Sequence, residues 1–203
     1  ALGFVRFSAF DEDNLDLGIA AIATLSFECT LGITVLILAV QRGLTLSDLG
    51  FVRPRLWSPL AVAWLGSYVI LIAYQVVILS LEMAGVPIDA FDDGNTINFG
   101  PDQNVLLIVT LGIAVTIVAP FGEELLFRGL LFRGLRGYWH LIPAMALSGL
   151  LFGIFHVNLS VIVPFSFIGA LFAWAYEKSG SIWTTIAAHA SVNSASFLVT
   201  VLL

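Results

Sequence analysis

The 203-residue chain is 59% hydrophobic and only 11% charged, with a mean hydropathy of +1.01 and a formal net charge of −6. A soluble domain carries roughly a quarter charged residues, so this balance excludes that class and gives a polytopic membrane protein. Apolar runs of about 20 residues, enough to cross a core roughly 30 Å thick as helix, recur along the chain, and their continuity excludes a membrane β-barrel.

Cys29 is the sole cysteine, which rules out a disulfide framework and a cysteine metal site. The chain opens on Ala1 with no signal-peptide pattern, so upstream residues, another helix among them, are expected. A first span is expected over 17–40 and a second over 57–81, joined by a loop that carries Arg42, Arg53 and Arg55. The next loop, 82–104, has five acidic residues and no basic one. It reads, with 11–16, as a solvated segment; its spacing lacks a calcium-loop pattern. A long apolar stretch, 105–132, contains Pro120, which cannot donate the helical hydrogen bond and is expected to kink it. After a basic segment, 133–140, come spans 141–157, 160–176 and 181–203, the last two separated by the turn 177–180.

The expected fold is an all-α polytopic bundle of about six spans, seven or more if the kinked segment or an upstream helix is counted separately. It divides into 1–104, with two spans and the acidic loop, and a membrane domain over 105–203. Placing Arg42, Arg53 and Arg55 in the cytoplasm puts Arg133, Arg136 and Lys178 there too, provided 105–132 crosses once. Both termini then lie outside, Glu123 and Glu124 fall in the cytoplasmic half, and Trp57, Trp139 and Trp183 line the cytoplasmic interface. There is no internal repeat of the kind that builds transporters from inverted halves.

Charge inside such spans is costly, about 2.5 to 3.5 kcal/mol per residue on insertion scales, and is a functional-site hypothesis by default. Glu124 and Arg128 are four apart in the favourable order and can neutralise each other, while Glu123, rotated by about 100°, must find another partner. His156 has Phe152 one turn back to pack its imidazole, and His189 and Asn193 share one face of the last span among small residues. Taken singly, each has a structural explanation: an ion pair, a histidine on a backbone carbonyl, interhelical hydrogen bonds. Together, a glutamate, two histidines and an asparagine on three spans form a set that can activate water and stabilise an oxyanion. A proton-coupled transporter, with Glu123, Glu124 and His156 as relay, is the rival class, and a non-catalytic peptide-binding protein a third. Glu28 lies midway along the first span with no partner named by the sequence, and His140 reads as solvent-exposed.

Glu123-Glu124-x-x-x-Arg128, Phe152-x-x-x-His156 and His189-x-x-x-Asn193 resemble, in order and without substitution, the three motifs of the CAAX protease and bacteriocin-processing (CPBP, or Abi) family. The resemblance covers 105–203. It implies an intramembrane endopeptidase related to the type II prenyl endopeptidases, acting on a membrane-associated substrate, prenylated CAAX-type or bacteriocin-like. By motif position, Glu123 and His156 would activate water, His189 and Asn193 would stabilise the oxyanion, and Glu124, Arg128 and Phe152 would support them. The family has also been labelled metallo-type, which would make Glu123, His156 and His189 zinc ligands. With no H-E-x-x-H, and with an asparagine that donates better than it ligates, the metal-free glutamate mechanism is expected, with no cofactor. The expected partners are membrane lipid and the peptide substrate, with no nucleic acid.

Overall fold

The computed structural model describes residues 12–88, 91 and 103–202, the side chains of 12–14 excepted. The bundle is built from α1 (Glu12–Gln41), α2 (Ser58–Met83), α3 (Val105–Arg136), α4 (Leu141–Phe155), α5 (Leu159–Ser179) and α6 (Ile182–Leu202). All but α4 are long and apolar enough to cross a membrane. At 15 residues α4 is roughly 22 Å long, and it stops at Phe155, before the 157 expected, so that His156 falls at its C-cap. Of the acidic stretches 11–16 and 82–102, residues 11, 89, 90 and 92–102 lie outside the described residues.

Burial is inverted relative to a soluble bundle. Ile19, Ile22, Ile33 and Ile37 on α1 and Val62, Leu65, Val69 and Ile72 on α2 are exposed, whereas Ala21, Glu28, Ala63 and Ser67 are buried. Large apolar side chains face lipid while small and polar ones let helices approach. The α4–α5 hairpin is the tightest contact. A Cβ on Gly149 would meet the Ser166 carbonyl and, at 2.7 Å, the Ala170 nitrogen, and one on Gly153 would meet the Ile162 carbonyl. Helix α1 lies along α3, where Gly32 faces Gly122, and α2 packs on α5 and α6.

Helix ends are set by local chemistry. The Asn104 side chain accepts from the Leu106 N–H at 2.9 Å to start α3, and Asn158 does the same for Ser160 at 2.9 Å to start α5. Gly180 closes α5 in the left-handed region, φ 68°, where a side chain would be strained. Its turn is held by the loop between α1 and α2: the Arg55 N–H donates to the Ser179 carbonyl at 2.8 Å and the Ile182 N–H to the Gly50 carbonyl at 2.9 Å. Arg136 pairs with Glu177 at 2.8 Å and Arg133 with Asp48 at 3.5 Å. Asp48 is held below the usual carboxylate range by the Thr45 hydroxyl and backbone N–H. Thus the three basic segments meet at one end of the bundle. Trp57, Trp139 and Trp183 are exposed beside the starts of α2, α4 and α6.

Helix α3 runs on through Pro120. The irregularity expected there takes the form of a π-helical stretch, Ala114–Val118, followed by a second over Leu125–Phe132. A π register tolerates proline because it displaces the carbonyl that the ring would otherwise strike.

Candidate active site

Glu124 and Arg128 form the expected pair on one face of α3, Nη1 to Oε1 at 2.9 Å, and both are fully buried. The guanidinium donates also to the Gly169 carbonyl of α5 at 2.9 Å and lies 4.7 Å from the Phe152 ring centroid and 5.3 Å from that of Phe172. His189 reaches the same carboxylate oxygen of Glu124 through Nδ1, at 3.0 Å. That third partner had no local signal, because 65 residues separate the two. Nδ1–H is thereby committed to Glu124, and Nε2 is the remaining polar atom of a ring that lines the central cavity.

Glu123 turns away to a different histidine. His156 Nδ1 lies 2.9 Å from the Phe152 carbonyl. A carbonyl only accepts, so Nδ1 carries the hydrogen and the neutral ring keeps its lone pair on Nε2. That Nε2 faces Glu123 Oε2 at 3.8 Å. Both atoms are acceptors and make no direct hydrogen bond, so the group that joins them must be a donor to both, as an attacking water would be. Phe152 packs the imidazole edge-on at 5.0 Å, and Phe165, which belongs to none of the three motifs, closes the other side at 4.6 Å. Val157, next in the chain, sits at φ 52°, a strained conformation for a β-branched residue that fixes the turn after His156.

Asn193 is placed by the π stretch. The Ala119 N–H bonds the Ala114 carbonyl five residues back, so the Val115 carbonyl is next in register and faces Pro120, which has no N–H. Asn193 Nδ2 donates to that orphaned carbonyl at 2.8 Å. One amide hydrogen is used in this way, and the second remains for the cavity that Asn193 also lines.

The cavity has a volume of about 390 Å³ and brings together Glu123, His156, His189 and Asn193 with apolar walls such as Leu111, Phe172 and Phe197. It runs along α6 from His189 to Thr200, away from the end where the basic segments meet. Glu28 of α1 is in its wall, 5% exposed, although the sequence offered it no partner. His140 lies outside it, just before α4. Among the described residues no three His, Cys, Asp or Glu side chains are grouped closely enough to hold a metal ion.

These features define an integral membrane helical bundle with a carboxylate and imidazole site enclosed between its spans. A family model described as Type II CAAX prenyl endopeptidase Rce1-like matches residues 105–195. The Bacillus subtilis (strain 168) protein named "Putative membrane peptidase YdiL" is 34% identical over 92 residues. That match covers 45% of this chain and 38% of the relative. No solved structure matches. Residues 105–195 are thus similar to the type II CAAX prenyl endopeptidase family.

Proposed function

We propose that the protein is a metal-free intramembrane endopeptidase that hydrolyses a peptide bond of a membrane-associated substrate, with prenylated CAAX-type and bacteriocin-like peptides as the candidate classes. The observation that carries this reading is the 3.8 Å gap between Glu123 Oε2 and a His156 Nε2 whose tautomer is set by Phe152. A water in that gap gives its proton to Glu123 as its oxygen attacks the scissile carbonyl carbon, and the carbonyl π electrons move to oxygen. His189 Nε2, when the ring carries its second proton, and the free Asn193 N–H are the donors to that oxyanion. Donors of this kind are worth about 2.7 to 4 kcal/mol each. Glu124, itself held by Arg128, and Phe152 keep His189 in place, and the Val115 carbonyl keeps Asn193. The basic end is assigned to the cytoplasm by the positive-inside rule.

The test is cleavage of farnesylated and unmodified membrane-tethered peptides by purified protein, followed by mass spectrometry, with and without a strong chelator. Cleavage at a single bond that survives chelation is expected. Cleavage lost to the chelator and restored by zinc would replace the glutamate mechanism with a metallo one.

A further inference from the structure

Glu28 is a buried carboxyl in the middle of α1 that none of the three motifs uses. Its Oε2 is buried and has no hydrogen-bond partner among the described residues, and the same is true of Glu123 Oε2. Buried polar atoms of native proteins are nearly always satisfied, so a carboxyl left without a partner calls for a functional explanation. The close approach that brings it there is built in. A Cβ on Gly122 would stand 3.0 Å from the Glu28 carbonyl and 3.1 Å from Glu28 Oε2, so glycine lets α1 approach closely at the residue before Glu123. Glu124 is neutralised by Arg128 and His189, which leaves Glu28 and Glu123 as the carboxyls without a cation in one cavity. Two such groups in a low-dielectric site do not both ionise, and an unpaired buried carboxyl is least costly as the neutral acid.

We propose that Glu28 is the general acid of the reaction, a role that rests on the hydrolytic reading above. After water has added and its proton has passed to Glu123, the oxyanion pair reforms the carbonyl and the C–N bond breaks. Its electron pair goes to nitrogen, which takes the proton of Glu28. Glu28 then recovers a proton from Glu123, and the site is reset with one water consumed. The titratable groups that share the cavity with Glu28 are Glu123 of α3, His156 of α4 and His189 of α6, and behind them Glu124 is paired with Arg128 and His189.

The experiment compares wild type with Glu28→Gln, Glu28→Asp and Glu123→Gln by infrared titration of the purified protein and by cleavage kinetics. At neutral pH the wild type should show a protonated-carboxyl band that Glu28→Gln removes and Glu123→Gln retains. Glu28→Gln should lower kcat by about 10² to 10⁴-fold with KM unchanged and lose the alkaline limb of its pH profile. Glu28→Asp, which keeps an acid one methylene shorter, should recover part of the rate and carries the test if the glutamine variant does not fold. A band that persists in Glu28→Gln, or turnover equal to wild type, overturns the proposal. A band lost in Glu28→Gln beside a wild type that cleaves nothing would remove the hydrolytic reading and leave the proton on Glu28.

Discussion

At the scale of single residues, the two adjacent glutamates are distinguished by their partners. Glu124 is held between Arg128 and His189, and Arg128 is completely buried with its charge neutralised there. Glu124→Gln should therefore cost about 3 to 5 kcal/mol, the range for breaking a buried pair and stranding one charge, read as a fall in melting temperature in detergent. A melting temperature unchanged from wild type would remove Glu124 from its supporting role. The Glu124–Arg128 pair was legible because helical periodicity alone brings residues four apart together. The His189 contact and the position of Glu28 were not, since both depend on how distant spans pack, and a buried Glu with no local partner carries no address in the sequence.

Elements aim these residues through their irregularities. The π register before Pro120 frees the Val115 carbonyl, and Asn193 satisfies it. Pro120→Ala restores an N–H that competes for the carbonyls of that turn. It should leave the bundle folded, loosen Asn193 and reduce turnover, measured as kcat against melting temperature. Equal turnover would show that Asn193 is held by something else. The α4–α5 hairpin offers a purely structural contrast. Gly149→Ala places a Cβ against the Ser166 carbonyl and within 2.7 Å of the Ala170 nitrogen, backbone that cannot move aside. Overpacking of this kind costs about 1 to 3 kcal/mol, which a thermal melt would detect. The proline's effect was foreseeable as a disturbance of the helix. Its resolution as a π stretch was not, because the partner that satisfies the freed Val115 carbonyl, Asn193, comes from α6, 78 residues away.

At the scale of the whole molecule, the order of the spans followed from hydropathy and the gathering of the basic segments at one end from arginine placement, because lipid imposes length and the interface imposes charge. The depth of the site was harder to read, since α4 is short and the cavity extends from Glu123 toward the end opposite the basic segments. With Cys29 replaced by serine, a cysteine at Ser47 should react with an impermeant maleimide from the cytoplasmic side only. Labelling from the outer side would invert the topology. Hydrolysis by an activated water requires Glu123. Wild type, Glu123→Gln and Glu124→Gln should be compared on one membrane-tethered peptide that the wild type cleaves, with melting temperature recorded for each. Turnover abolished in Glu123→Gln at an unchanged melting temperature is the predicted result; a folded Glu123→Gln that cleaves as fast as wild type would contradict it.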